Sequence, residues 1–98
     1  MKIILLDAAI RDLRSGKEFY EKQELGIGNY FEECLFSDID SLMLFGGVHP
    51  KRFGFYWLLS KRFPYAIYYK MDDNSVIRVC RVLDCRRDPA VLRGRLRD

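Results

Sequence analysis

The sequence predicts one α+β domain, in which an antiparallel helix hairpin packs on an antiparallel sheet. Its 98 residues suit a single domain, and 49% of them are hydrophobic, which is enough for one core. Apolar residues recur at helical spacing in the first half of the chain and alternate as in strands in the second half. We therefore expect residues 1–98 to fold as one domain in the order β-α-α-β-β-β, with a short C-terminal helix.

The first half begins with a short apolar run at residues 2–6, which predicts a buried strand. From residue 7 the spacing of Ala9, Leu13 and Tyr20 predicts a helix that ends near residue 24. This N-terminal run is too short for a signal peptide or a membrane span, so we expect a cytoplasmic protein.

Glycines at positions 26 and 28 predict a tight turn into a second helix over residues 29–45. Asn29 is the expected N-cap, with Glu32 completing a capping box. Two amphipathic helices joined in this way favour an antiparallel hairpin.

The second half alternates like a strand over residues 52–59, 63–70 and 76–83, with turns predicted at 60–62 and 72–75. Short turns between consecutive strands predict an antiparallel meander. Tyr56 and Tyr68 have the parity expected of an exposed sheet face. By the same counting, Arg78 and Arg81 point to opposite faces.

The C-terminal segment contains a capped helix and most of the positive charge. Asp88 and Pro89 have the residue types preferred at the N-cap and first position of a helix. Residues 61–98 hold ten Lys/Arg against five Asp/Glu, and seven arginines but no lysine follow from Arg78 onward. Guanidinium groups pair with phosphates and carboxylates, which favours an acidic partner; a solvated surface explains the composition equally well.

The cysteines and the single histidine indicate no metal site or cofactor. Cys34, Cys80 and Cys85 form no CxxC pair, which is typical of reduced cysteines in a cytosolic protein. His49 lies in a predicted loop before Pro50, where a solvated side chain is the simplest interpretation.

Two segments resemble the ParE branch of the RelE/ParE toxins. Residues 63–69 (Phe-Pro-Tyr-Ala-Ile-Tyr-Tyr) resemble its Phe-Pro-Tyr-x-Ile-x-Tyr strand, and residues 82–89 (Val-Leu-Asp-Cys-Arg-Arg-Asp-Pro) its Val-Leu-His-x-x-Arg-Asp-Pro ending. The upstream pattern Asp12-Leu13, Phe19-Tyr20, Leu25–Gly28 and Phe31 is similar to the family's helix hairpin. The sequence departs from the family at Asp84, where histidine is common.

The resemblance implies a bacterial toxin of a type II toxin–antitoxin system, neutralised by a cognate antitoxin that wraps the helix hairpin and sheet edge. A ParE-like member inhibits DNA gyrase and needs no cofactor. The alternatives are a RelE-like endoribonuclease that cuts mRNA on the ribosome, and a degenerate member that binds antitoxin without toxicity.

Each alternative predicts its own site residues. Gyrase binding is expected to involve four C-terminal arginines: Arg86, Arg87, Arg93 and Arg95. At least one of the adjacent Arg86 and Arg87 is also expected to pair with a neighbouring aspartate. A nuclease is expected to place cations over the scissile phosphate: Arg52, Lys61, Arg62 and Arg81. After Leu83 the chain has no Tyr, His or Glu for proton transfer, which favours the gyrase inhibitor over the enzyme.

Overall fold

The computed structural model describes residues 1–73 and 75–97, and these form a mixed sheet with helices on both faces. The strands follow the spatial order β1-β5-β4-β3-β2. Their bounds are β1 (Lys2–Leu5), β2 (Lys51–Arg52), β3 (Phe55–Leu59), β4 (Tyr65–Asp72) and β5 (Val76–Asp84). The helices are α1 (Asp7–Gln23), α2 (Ile27–Asp40), α3 (Leu42–Phe45) and α4 (Pro89–Arg95).

The predicted α+β fold is confirmed, including the helix hairpin, the antiparallel meander β3-β4-β5 and the C-terminal helix. Asp88 caps α4 by accepting a hydrogen bond from the Ala90 N–H at 2.7 Å. Strand β1 joins the sheet in parallel beside β5. The predicted turn at 72–75 includes Asn74, which lies outside the described residues.

The predicted strand over residues 52–59 is wrong at its start, because the chain reverses there. Lys51 and Arg52 pair with Tyr56 and Phe55. Phe53 (φ 56°) and Gly54 (φ 85°) form the two-residue turn between them. Positive φ at both central positions suits the right-handed twist of a two-residue hairpin. The reversal makes residues 51 and 52 a separate strand, β2, at the edge of the sheet.

The predicted capping box at Asn29 is also wrong. Helix α2 begins before that residue, after Gly26 in the left-handed region (φ 92°). The Glu21 carboxylate of α1 accepts hydrogen bonds from the N–H groups of Gly26 (3.0 Å) and Gly28 (2.9 Å). A side chain of the preceding helix thus performs the capping that we assigned to Asn29 and Glu32.

The helix hairpin packs on one face of the sheet and forms the larger core. Phe31 and Leu35 of α2 lie against Ile67, Tyr69 and Val79 of the sheet, all of them fully buried. Burial of this apolar area is the main stabilising contribution to the fold.

Helix α4 covers part of the opposite face, called here the α4 face. Leu92 and Leu96 pack there against Phe55, Ala66 and Tyr68. Tyr68 is only 1% exposed. The expected exposed position of Tyr68 is therefore wrong, because α4 closes over it.

Tyr56 does not share a face with Tyr68. It pairs with Tyr69, and their rings stack on the hairpin face with centroids 5.1 Å apart. Tyr56 is half-buried there. The prediction that Tyr56 and Tyr68 share an exposed face of the sheet is therefore wrong.

A bulge in β5 overturns the prediction that Arg78 and Arg81 point to opposite faces. Tyr68 pairs with Arg81, but the next residue, Tyr69, pairs with Val79, so that Cys80 is the additional residue. One extra residue inverts the alternation of side chains beyond it. Arg78 and Arg81 consequently lie on the same side of the sheet, the α4 face.

Candidate functional site

The end of β5 is an open sheet edge that a side chain of α1 partly covers. Strand β1 ends at Leu5, opposite Val79, so beyond Val79 strand β5 is paired with β4 on one side and, among the described residues, has no strand on the other. The Asp12 carboxylate accepts a hydrogen bond from the Val82 N–H at 3.0 Å. A carboxylate here satisfies a backbone donor that would otherwise pair with a further strand.

The same carboxylate binds Arg81 in a two-pronged ion pair. Arg81 Nε and Nη2 donate to the two Asp12 oxygens at 2.7 and 2.8 Å, and Arg81 Nη1 donates to the Arg95 carbonyl at 2.8 Å. The hydrogen bonds to Asp12 raise the pKa of Arg81. Arg81 therefore joins α1, β5 and the end of α4, and most of its donors are occupied.

Arg86 is paired within its own turn. Its guanidinium donates to both Asp84 oxygens, from Nε at 3.0 Å and from Nη2 at 2.7 Å. The hydrogen bond from Arg86 lowers the pKa of Asp84. This pairing is the one we expected for at least one of the two adjacent arginines.

The other three predicted target-binding arginines are exposed, and no carboxylate of the described residues forms an ion pair with them. Arg87 and Arg95 line a cavity of about 340 Å³ beside α1 and the open end of β5. The Arg93 guanidinium lies 5.4 Å from the centre of the Phe53 ring. Arg87, Arg93 and Arg95 thus surround the C-terminal helix with accessible positive charge.

The four cations predicted for a nuclease lie in different surroundings. Arg52 is on the α4 face, with its guanidinium 4.9 Å from the centre of the Phe53 ring. Lys61 and Arg62 border a cavity formed with α2, whereas Arg81 is bound to Asp12. The fold does not collect these side chains around one position for a phosphate.

The titratable groups beside the end of β5 have pKa values displaced away from neutrality. Burial and the nearby Asp84 charge raise the pKa of Tyr65 to about 12. Burial also raises the pKa of the Cys85 thiol, while the pKa of Asp84 is lowered. None of these three groups suits proton transfer near neutral pH.

His49 is half-buried and not a solvated loop residue as expected. Its Nδ1 is hydrogen-bonded to the Tyr69 hydroxyl, which also accepts from the Gly47 N–H at 2.9 Å. Burial lowers the pKa of His49. Tyr69 lies in the core under the helix hairpin, so this histidine fixes the loop to that core.

Across residues 1–73 and 75–97, His, Cys, Asp and Glu side chains nowhere gather in threes as a metal ion would require. Within the same residues, the helices are all too short or too polar to cross a membrane.

No protein-family model and no curated protein matches the chain. A chain in a solved structure of the chromosomal ParDE TA system from P. aeruginosa is similar in fold, with a TM-score of 0.74 and 15% sequence identity. The similarity covers 84% of this chain and 92% of that one. At this identity the likeness shows that the two chains share a fold over nearly their whole lengths.

Proposed function

We propose that this chain is a ParE-like toxin of a type II toxin–antitoxin system, which inhibits DNA gyrase and is neutralised in the cytoplasm by a cognate antitoxin. The observation that carries the proposal is the shared fold with a chain of the ParDE TA system, over most of both chains.

The two segments that resemble the ParE branch are neighbours in space, which supports the same function. Tyr65 of the first segment pairs with Asp84 of the second. The Cys85 N–H donates to the Pro64 carbonyl at 2.7 Å. Motifs separated by more than a dozen residues thus meet at one end of the sheet, next to the arginines assigned to target binding.

The proposed inhibitor acts by binding and not by catalysis. The cations of the predicted nuclease site are dispersed, and the groups beside β5 have pKa values far from neutrality. Arg87, Arg93 and Arg95 keep their donors available for carboxylates or phosphates of the target. Arg86 would contribute to target binding through the donors that its pairing with Asp84 leaves available.

The proposed antitoxin surface is the outer side of the helix hairpin. Its exposed apolar side chains include Phe36 on α2 and Met43, Leu44 and Phe45 on α3, and Leu44 is 82% exposed. A cavity of about 180 Å³ between α1 and α2 includes Ile10 and Phe36. Apolar side chains of an antitoxin helix or extended segment fit such a surface.

The test is brief induction of the gene in a bacterial host, with labelled thymidine and methionine incorporation followed in parallel. Gyrase inhibition predicts that thymidine incorporation fails first, and that the purified chain blocks supercoiling by gyrase. Failure of methionine incorporation first would instead indicate the RelE-like alternative. If neither falls while the protein is made, the degenerate alternative holds.

A matched pair of variants tests the target-binding arginines. Arg87→Gln combined with Arg93→Gln should relieve the inhibition of supercoiling. Arg11→Gln combined with Lys22→Gln removes the same charge from exposed positions on α1 and should not. Equal loss in both pairs would show that only the total charge matters.

A further inference from the structure

A further cavity lies between the end of α4 and the α4 face of the sheet, and we call it the basic pocket. Its volume is about 300 Å³, and the charged side chains of the described residues that line it are all cationic. These side chains are Lys70, Arg78, Arg81, Arg95 and Arg97. None of them except Arg81 and Arg95 belongs to the residues predicted for target binding or for a nuclease.

The bulge at Cys80 creates the pocket. Lys70 is directly opposite Arg78 across the β4–β5 ladder, and the additional residue brings Arg81 to the same face. Arg95 and Arg97 reach the pocket from α4 and the residues after it. Five cations from two strands and one helix thereby converge although they are far apart in sequence.

Among the described residues, carboxylates pair with two of these five cations. Arg81 is held by Asp12, and Arg78 donates to both Asp72 oxygens at 2.6 and 3.2 Å. In the part of the chain that the structure describes, no carboxylate forms an ion pair with Lys70, Arg95 or Arg97. Three positive charges therefore face one small cavity, and their mutual repulsion falls when an anion enters.

The geometry of the pocket favours a phosphate. A single carboxylate neutralises one charge, whereas a phosphate carries up to two negative charges on tetrahedrally arranged oxygens, which arginines bind in a two-pronged manner. Phe55 in the wall is only 7% exposed, and Lys70 Nζ lies 4.6 Å from its ring centre. The described residues that line the pocket therefore leave no open aromatic face for a nucleobase to stack on, which favours recognition of the phosphate itself.

We propose that the basic pocket binds a phosphate group, either of a small phosphate or nucleotide or of a nucleic-acid backbone. Lys70, Arg95 and Arg97 supply donors that pair with no carboxylate of the described residues, while Arg78 and Arg81 are hydrogen-bonded to Asp72 and Asp12. The phosphate connects α4 to the sheet. A helix of seven residues has little stability of its own, so binding stabilises its docked position. This inference does not depend on the proposed gyrase inhibition.

The test measures binding of pyrophosphate to the full chain by calorimetry at constant ionic strength. Wild type should bind saturably, and Lys70→Gln should weaken binding by about fivefold or more, the loss of one charge-assisted contact. Lys22→Gln is the matched control, since Lys22 is exposed on α1 and does not line the basic pocket, and it should change binding less than about twofold. Arg97→Gln, at an exposed position, replaces Lys70→Gln if that variant does not fold.

Competition distinguishes the two sources of phosphate. If a single-stranded oligonucleotide displaces pyrophosphate from the wild-type protein, and Lys70→Gln weakens binding of the oligonucleotide, the ligand is the nucleic-acid backbone. If the oligonucleotide does not displace pyrophosphate, or binds equally well to Lys70→Gln, the ligand is a small phosphate. The proposal fails if wild type shows no saturable binding, if Lys22→Gln loses as much affinity as Lys70→Gln, or if succinate or a glutamate-rich peptide binds as tightly as pyrophosphate.

Discussion

Asp12 connects three parts of the molecule through one carboxylate. It accepts hydrogen bonds from Arg81 and from the Val82 N–H, and Arg81 in turn donates to the Arg95 carbonyl. The Asp12 and Arg81 side chains are only 11% and 19% exposed. Loss of one partner would leave a poorly hydrated charge, which is far more costly than loss of a surface ion pair.

We expect Asp12→Asn to lower the free energy of unfolding by about 2–4 kcal/mol. Asp72→Asn is the matched control, because it breaks an ion pair with Arg78 whose side chains are 42% and 38% exposed. That change should cost less than about 1 kcal/mol. Urea unfolding followed by the fluorescence of Trp57 measures both. Equal costs would mean that Asp12 is no more than a surface partner of Arg81.

His49 gives a second prediction at the same scale. Burial lowers its pKa below the ordinary value of 6.5, so the folded state favours the neutral ring. The contribution of this group to stability is therefore complete above pH 6.5 and is lost as the pH falls through the folded-state pKa. NMR titration of the chain's one histidine should give a midpoint below that obtained in urea, and identical midpoints would contradict it.

The α1–α2 hairpin depends on a close approach that only glycine allows. A Cβ added to Gly16 would lie 2.5 Å from the Phe31 ring, whose position is fixed in the core. In α4, by contrast, a Cβ at Gly94 would meet nothing within 4 Å. The same substitution should therefore have opposite effects in the two helices.

We expect Gly16→Ala to destabilise the fold by about 1–3 kcal/mol, because the hairpin must open to accept the methyl group. Gly94→Ala should instead stabilise it by about 0.5–1 kcal/mol, since alanine restricts the unfolded chain and favours the helix. Thermal unfolding of both variants beside wild type measures the difference. Destabilisation by both would show that α4 is not packed as described.

The elements were predictable from the sequence to different degrees. The amphipathic spacing of α1 and the Asp88-Pro89 signal depend on residues close in sequence, and both predictions are confirmed. The bulge at Cys80 is set by the pairing of two strands, and no local pattern marks it. The prediction that Arg78 and Arg81 point to opposite faces of the sheet is therefore wrong.

The candidate site was predictable only in part, for the same reason. Local spacing suggested that one of two adjacent arginines pairs with a neighbouring aspartate, as Arg86 does. The pairing of Asp12 with Arg81 spans 69 residues, and no sequence signal joins them. The burial of Tyr68 likewise requires knowing that α4 folds back over the sheet.

Considered as a whole, the molecule has a sheet that is covered on both faces, and its central strand β4 carries three buried tyrosines whose ionisation depends on pH. Tyr68 and Tyr69 lie on opposite faces, under α4 and under the hairpin, and burial raises the pKa of each. Tyr65, near the start of the same strand, has a pKa of about 12. The fold thus keeps neutral several phenols that ionise near pH 10 in the unfolded chain.

Alkaline pH should consequently destabilise the protein through these tyrosines. For Tyr65, the raised pKa in the folded state means that its stabilising contribution is complete below pH 10 and is lost as the pH rises from about 10 to 12, since the unfolded chain releases its proton first. In that window Tyr65 changes the free energy of unfolding by up to about 1.4 kcal/mol per pH unit. Tyr65→Phe should therefore flatten the decline of the free energy of unfolding in urea between about pH 10 and 12 relative to wild type. Tyr30→Phe, which changes an exposed ring, is the matched control, and its free energy of unfolding should decline with pH as that of wild type does. If Tyr65→Phe leaves the decline unchanged, the Tyr65 hydroxyl is hydrated in the folded protein.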